Sequence, residues 1–102
     1  MISRMWRGWT SREDADPYER FLLDELFPSM RTIEGFRGAD VLRRDEDGEV
    51  AFVTLTRFDS LDAVRAFAGE DYETPVIEPR ALAFLSRYDR QALHFETTTF
   101  TS

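Results

Sequence analysis

The sequence predicts an α+β domain in which an antiparallel sheet carries helices on one face. Three observations lead to this class: four segments rich in large apolar residues, two segments with helical periodicity, and an acidic glycine turn between the second and third strands. The predicted order is therefore strand, helix, strand, strand, helix, strand. With 102 residues, 42% of them hydrophobic, we expect a single domain over residues 1–102.

The first strand and the longer helix are predicted in the first third of the chain. Residues 2–10 are rich in large apolar and aromatic residues and are typical of a strand. From Asp16, apolar residues recur at helical spacing, with Pro17 just inside the predicted start and the end before Gly35. The residues of this apolar face are Tyr18, Phe21, Leu22, Leu26 and Met30.

A hairpin and a capped short helix are predicted next. Residues 36–44 and 50–58 read as two strands, joined by a turn in which Gly48 supplies a positive φ. Ser60 is a candidate N-cap, and the helix that follows it should end near Gly69.

The C-terminal third predicts a loop, a helix and a strand. Residues 70–80 are acidic and contain two prolines, residues 81–88 favour another short helix, and residues 92–100 favour the final strand. The complete order matches the ferredoxin-like β-α-β-β-α-β arrangement, with both helices on one face of the sheet.

Both faces of the predicted strands carry large apolar residues. In the first strand Ile2 and Trp6 share one face, while Met5 and Trp9 share the other. Helices cover only one face of such a sheet, so we expect a second copy of the chain to cover the other. The sequence therefore predicts a homodimer formed by sheet-to-sheet packing.

Composition excludes several kinds of chemistry. The chain has no cysteine and no lysine, and His94 is its only histidine. A thiolate nucleophile, a lysine Schiff base and a Cys/His zinc site are therefore excluded, and the acidic turn at 45–47 reads as solvated, so no metal is expected. The net charge of −7 argues against nucleic acid or a membrane surface as partner. No apolar signal segment is present, and we expect a cytoplasmic protein.

Four stretches of the chain resemble the antibiotic biosynthesis monooxygenase superfamily of dimeric α+β barrels. They are MISRMWRG at 1–8, RGADVLRR at 37–44, FDSLDAVRAFAGED at 58–71 and HFE at 94–96. The resemblance implies a ferredoxin-like protomer, a sheet-packed dimer and a pocket between each sheet and its helices. It also implies activities found among members, which include cofactor-free oxygenases of aromatic polyketides, quinol oxygenases and haem-degrading enzymes.

Members of the haem-degrading branch of that family have three site residues that this chain lacks. The branch has an asparagine in the first strand, a tryptophan near the end of the second helix and an iron-ligating histidine further on. The corresponding positions here are Arg7, Phe67 and Ile77. Haem iron needs an axial ligand, so canonical haem degradation is not expected, and we expect no cofactor.

Four residues are candidate catalytic groups: Arg7, Asp71, Tyr72 and His94. Arg7 could stabilise an oxyanion if its strand face looks into the pocket, or it could pair with an acidic neighbour, for example in the 70–71 loop. Tyr72 could hydrogen-bond a phenolic substrate, and Asp71 could act as a base if burial raised its pKa. His94 could be a general base.

Strand alternation offers a second interpretation of His94. Leu93 and Phe95 look like core positions, which would turn His94 towards the dimer interface or solvent. Five apolar residues are candidates for substrate contacts around the pocket, although each could equally be ordinary core: Met5, Trp9, Phe67, Ile77 and Phe84.

Two functions remain open on this evidence. The first is a cofactor-independent monooxygenase that oxidises a small or polycyclic aromatic, such as a phenol, quinol or anthrone, with O2. The second is a non-catalytic dimeric barrel that binds a small apolar ligand or serves as an accessory protein. Convergent titratable groups in the pocket would favour chemistry, and a closed apolar cavity with one polar group would favour binding.

Overall fold

A computed structural model describes residues 1–102, and it confirms the α+β class with an antiparallel ferredoxin-like sheet. The regular elements, in chain order, are β1 Ile2–Ser11, α1 Arg12–Phe21, a π-helical segment Leu22–Leu26, α2 Phe27–Met30, β2 Phe36–Glu46, β3 Glu49–Phe58, α3 Leu61–Ala68, a 3-10 turn Ala81–Ala83, β4 Leu85–Tyr88 and β5 Leu93–Glu96.

All strand pairs are antiparallel, and β1 lies at the centre of the sheet. The order is β2-β3-β1, and the second edge of β1 is shared by two short strands. β4 pairs near the end of β1, opposite residues 8–10, and β5 pairs near its start, opposite residues 2–5. The sheet thus has one short strand at each end of β1, whereas the sequence predicted a single final strand over residues 92–100.

The prediction of a helix over residues 81–88 is wrong beyond its first turn. The three-residue spacing of Leu82, Leu85 and Tyr88 suggested a helix, but only Ala81–Ala83 is helical. The residues that follow pair instead with the open edge of β1, which satisfies backbone groups that a helix would leave at the sheet edge. The final strand is also shorter than predicted, ending at Glu96.

The long helix begins four residues earlier than predicted. Ser11 is its N-cap, and its Oγ accepts a hydrogen bond from the Asp14 amide at 3.2 Å. Pro17 therefore lies inside α1 and not at its first turn.

A π-helical segment, Leu22–Leu26, lies between α1 and α2 and adjoins both. Pro28 has no amide hydrogen for the Asp24 carbonyl, and its ring crowds that carbonyl. Widening the turn relieves this crowding, and the Phe27 amide bonds to the Leu22 carbonyl, five residues back. The segment places Leu22 and Leu26 over the sheet, where both line the cavity described below.

The predicted hairpin and short helix are both confirmed. Asp47 and Gly48 form the two-residue turn between β2 and β3, with φ of 42° and 86°. Ser60 caps α3 by accepting a hydrogen bond from the Ala63 amide at 3.2 Å.

The core lies between the helices and the face of the sheet formed by even-numbered residues of β1 and β3. We call this the helix-side face, and the opposite one the outer face. Phe52 and Phe58 are almost completely buried on the helix-side face, where the Tyr18 ring meets the Phe52 ring edge-on at 4.9 Å. On the outer face, Leu42 and Leu93 remain 46% and 48% exposed.

Candidate functional site

A partly enclosed cavity lies between the helix-side face and the long helix. Eleven of its sixteen lining residues are hydrophobic. The space between the side chains, including the mouth, is about 540 Å³, but only about 40 Å³ is wide enough to admit the centre of a water molecule. By the usual requirement for internal water, that is room for about three or four waters. The sheet residues in the lining are Arg4, Trp6, Thr54 and Thr56.

Arg4 is the only charged residue buried in the structure, with 5% of its surface exposed. Its Nη1 donates to the Tyr72 carbonyl and lies 3.0 Å from Nε2 of His94, and its Nη2 donates to the Thr74 carbonyl at 3.3 Å. The guanidinium carbon lies 5.6 Å from the centre of the Phe67 ring. None of the ion pairs in the structure includes Arg4, so its charge is desolvated and has no carboxylate partner.

Burial changes the acid–base properties of the groups around the cavity. It lowers the pKa of Arg4 to about 10, so the guanidinium still carries its charge at neutral pH. Burial also raises the pKa of Tyr18, which lines the cavity, so this phenol remains protonated and can donate a hydrogen bond. The cavity thus combines one cation with neutral hydroxyl groups.

His94 and Tyr72 lie next to Arg4, in an open groove beside the cavity. The two rings meet edge-on at 4.9 Å. Burial and the positive charge of Arg4 lower the pKa of His94, and Glu73 acts in the opposite direction. A neutral imidazole, protonated on Nδ1, is the form whose Nε2 can accept the Arg4 hydrogen bond.

The expected orientation of β5 is wrong. His94 is paired with Arg4 and shares the helix-side face, whereas Leu93 and Phe95 lie on the outer face and are each 48% exposed. Assigning these two apolar residues to the core exchanged the two faces of the predicted strand. Apolar character alone did not identify the buried face, because β5 covers little of the core.

Arg7, Met5 and Trp9 do not line the helix-side cavity, contrary to the condition placed on them above. Odd-numbered residues of β1 project from the outer face. Arg7 is exposed there and pairs with Asp89, not with the 70–71 loop; its Nε donates to Oδ2 at 2.7 Å.

Trp9 is held on the outer face by polar and cationic neighbours. Its Nε1 donates to Glu46 at 3.2 Å, and the Arg87 guanidinium lies 3.9 Å from its ring centre.

The remaining candidates divide between the cavity and its surroundings. Phe67 and Ile77 line the cavity, as expected. Phe84 does not; it packs against Tyr18 and Phe21, with ring centres 6.3 and 6.2 Å apart.

Asp71 lies on the exposed loop, where it accepts a hydrogen bond from the Thr74 hydroxyl at 2.7 Å. Asp71 is exposed and does not line the cavity, so the burial that a catalytic role would require is absent.

Arg4 and Trp6 are the site residues that the sequence interpretation missed. Both project from β1 into the cavity, and Trp6 also donates from Nε1 to the Asp89 carbonyl at 2.7 Å. The neighbours of Arg4 on its strand face could have identified it as a site residue. It shares that face with Ile2 and Trp6, and an arginine between two large apolar residues on a core face is unusual.

Comparison with known structures shows which fold this is. A crystal structure of an antibiotic biosynthesis monooxygenase superposes with a TM-score of 0.65 at 17% identity, covering 97% of this chain and 100% of that one. A Deinococcus radiodurans protein classed with the same monooxygenases gives a TM-score of 0.66 at 14% identity, covering 100% and 97%. The fold is that of the antibiotic biosynthesis monooxygenases. No protein-family model and no curated protein matches the sequence.

A haem-bound relative of this fold allows a direct test of the cavity. The Mycobacterium tuberculosis haem degrader MhuD, solved with two haems in its active site, is similar with a TM-score of 0.62 at 17% identity, and the match covers 100% of both chains. The residues that line this cavity include no histidine and no cysteine that could ligate haem iron. Ile77 stands at the expected ligand position, and His94 lies outside the lining with its Nε2 against Arg4.

Nowhere do three or more histidine, cysteine, aspartate or glutamate side chains come together in a group that could hold a metal ion. No helix is both long enough and apolar enough to cross a membrane.

Proposed function

We propose that the protein is a cofactor-independent monooxygenase that oxidises a small or polycyclic aromatic, of the phenol, quinol or anthrone type, with O2. The observation that carries this proposal is the apolar, aromatic-walled cavity between sheet and helices, in a fold shared with antibiotic biosynthesis monooxygenases. Trp6 and Phe67 supply flat walls for an aromatic substrate, and Phe21 and Phe27 close the helical side.

This chemistry needs no reductant, because the substrate supplies every electron. An anthrone-type CH2 group loses a proton to give a carbanion, and the carbanion passes one electron to O2. Recombination of the two radicals forms a carbon–oxygen bond, and protonation gives a hydroperoxide. Loss of water then leaves a carbonyl: one oxygen atom enters the product and the other leaves as water.

The protein contributes a dry site and few reacting groups. Glu78 is the one carboxylate in the lining and is our candidate to accept the first proton. His94 contacts Arg4 and does not line the cavity, so we assign it to positioning the guanidinium. Most of the reactivity then resides in the substrate, which agrees with the lack of thiols and lysine in the chain.

The cavity volume sets a condition on this proposal. About 40 Å³ is far below the roughly 300 Å³ typical of sites for small organic ligands. An aromatic substrate can enter only if the wall moves. The 70–80 segment is the part of the wall without helix or strand, and it contributes Val76, Ile77 and Glu78 to the lining. We therefore include outward movement of residues 75–78 in the proposal, while the Tyr72 and Thr74 carbonyls keep their hydrogen bonds to Arg4.

Oxygen uptake tests the proposal directly. Purified protein should consume one O2 per anthrone above the autoxidation rate, with no added cofactor and no loss of activity in EDTA. Ile77→Trp, which fills the cavity, should abolish the uptake, while Leu42→Trp, which adds the same group on the outer face, should retain it. Uptake at the background rate with anthrone, phenol and quinol substrates alike would rule out the oxygenase.

The small volume favours a second candidate, a non-catalytic barrel that binds a small apolar ligand. A small, mostly apolar cavity with one buried charged group is suited to such a binding protein. In the same experiments this function predicts saturable binding, blocked by Ile77→Trp, with oxygen uptake at the background rate.

We further propose that the chain forms a homodimer through its outer face. The exposed apolar residues Leu42, Leu93 and Phe95 lie on this face, and Val53 and Leu55 are only partly covered there. A second copy of the same face would bury them by two-fold symmetry. Sedimentation equilibrium at micromolar concentration should give twice the 11.9 kDa chain mass, and a monomer mass would contradict the proposal.

A further inference from the structure

The uncompensated charge of Arg4 points to the ligand. All other charged residues are partly or fully exposed to solvent, but Arg4 is 95% buried without an acidic partner. Removing a guanidinium from water is costly unless an anion or a full set of hydrogen bonds compensates it. The chain supplies three uncharged acceptors and no anion, so the compensation within the protein is partial.

A count of donors shows where a ligand can bind. A guanidinium has five N–H groups. Two on Nη1 are used by the Tyr72 carbonyl and His94, and one on Nη2 by the Thr74 carbonyl. The Nε–H and one Nη2–H make no hydrogen bond with the chain. Donors on these two nitrogens can bind both oxygens of a carboxylate, or share one phenolate oxygen.

We propose that Arg4 makes the cavity a binding site for an apolar, preferably aromatic, molecule that carries one anionic oxygen group, a carboxylate or a phenolate. The apolar lining takes the ring, and Arg4 takes the anion through its two remaining donors. The protonated Tyr18 phenol and the hydroxyls of Thr54 and Thr56 add neutral donors in the same lining. This assignment rests on the proposed function for the identity of the site, but it requires only binding, not oxidation.

An anion is favoured over a neutral ligand by the surroundings of Arg4. Charges attract more strongly in the low dielectric of an interior than in water. The only acidic residue in the lining is Glu78, which is exposed and makes no ion pair with Arg4. An entering anion therefore gains an unshared cation that is already fixed in place by three hydrogen bonds.

A purely structural role for Arg4 makes a different prediction. Its bonds to the carbonyls of Tyr72 and Thr74 clamp the 70–80 segment, and this clamp works with no ligand present. If Arg4 only held the loop in place, the cavity would bind charged and neutral ligands equally. Charge preference, and not stability, therefore separates the two roles.

The test compares anionic aromatic probes with their neutral counterparts: benzoate with benzamide, and 2-naphthoate with 2-naphthamide. Calorimetry on the full chain should show at least one acid binding tenfold or more tightly than its amide. Arg4→Met and Arg4→Gln should each remove this preference, and Arg7→Met, the matched change on the outer face of the same strand, should retain it. Equal affinity for acid and amide, or no binding of either acid, overturns the proposal.

The single histidine gives an independent readout in the unmodified protein. The groups that face His94 are Arg4 from β1 and Tyr72 and Glu73 from the loop. An anion on Arg4 offsets the positive charge that disfavours the imidazolium. The NMR titration of His94 should therefore shift to higher pH with the acid and stay in place with the amide. If both Arg4 variants fail to fold, this contrast decides: an unchanged titration with a bound acid overturns the proposal.

The outcomes also separate this inference from the oxygenase. Acid-selective binding without oxygen uptake would support the anion site and rule out the oxygenase. Oxygen uptake that persists in Arg4→Gln, together with equal binding of acid and amide, would support the oxygenase and rule out the anion site.

Discussion

Arg4 and Arg7 lie three residues apart in β1 and show what separates the two faces of this sheet. Arg4 is buried on the helix-side face and bonds to two carbonyls and an imidazole. Arg7 is exposed on the outer face and forms an ion pair with Asp89 at 2.7 Å. Strand alternation thus gives one guanidinium a hydrated acidic partner and leaves the other desolvated and unpaired. Only the second has binding capacity that the fold itself does not use.

The apolar residues of the two faces differ in the same way. On the helix-side face, Phe58 packs against the rings of Phe36 and Phe67 under the helices. On the outer face, Leu93 and Phe95 are as apolar but half exposed. The helix-side face is therefore covered within one chain, whereas the outer face stays partly open to solvent.

The largest effect on stability should come from truncating a buried side chain on the helix-side face. Phe52→Ala should lower the free energy of unfolding by about 3–5 kcal/mol, because the ring is 1% exposed and its removal leaves a cavity beneath Tyr18. Leu42→Ala on the outer face should cost below about 1 kcal/mol in the monomer, since Leu42 is 46% exposed. Urea unfolding at low protein concentration measures both. Equal losses would contradict the difference between the faces.

A second prediction concerns the cover of the outer face. Leu93→Glu should raise the dimer dissociation constant by at least about 100-fold, because symmetry places the new carboxylate at the interface twice. Leu23→Glu, a change at an equally exposed leucine in the π-helical segment, should leave dimerisation unchanged. Sedimentation velocity over a concentration series gives both constants. If the two variants dissociate alike, the outer face is not the interface.

The sequence predicted the elements of the fold better than the orientation of its strands. Caps and turns depend on local chemistry, so Ser60 and the turn at Gly48 could be recognised from neighbouring residues alone. Which face of β1 is buried depends instead on cross-strand pairing. Arg4 lies opposite Thr56 and Ile2 opposite Phe58, and both partners are buried. No local pattern contains that register.

The π-helical segment and the strand at residues 85–88 were missed for a related reason. Pro28 lies inside the predicted helix, and no local pattern in the sequence predicts the widened turn before it. Residues 85–88 have apolar spacing compatible with a helix, and the unpaired edge of β1 decides in favour of a strand. In both cases the outcome depends on a distant partner or on backbone geometry.

A third prediction uses pH to distinguish the faces. The folded-state pKa of His94 is lowered, mainly by burial and by Arg4, so the folded chain binds fewer protons than the unfolded chain. Its contribution to stability is then complete above the ordinary value of 6.5 and is lost as pH falls through the folded pKa. His94→Gln keeps an acceptor for Arg4 without this titration. Urea midpoints between pH 7.5 and 5 should fall more steeply in the original chain, and parallel curves would contradict the placement of His94 beside Arg4.

The smallest effect should come from the Arg7–Asp89 pair on the outer face. In a double-mutant cycle with Arg7→Gln and Asp89→Asn, the coupling energy should be about 0–1 kcal/mol, because the two side chains are 52% and 31% exposed and water screens them. The coupling should shrink further in 1 M salt. Unfolding measured below the dimer dissociation constant isolates the monomer value. A coupling above about 2 kcal/mol that resists salt would mean that Arg7 is desolvated within a single chain, and the contrast between Arg7 and Arg4 would then be lost.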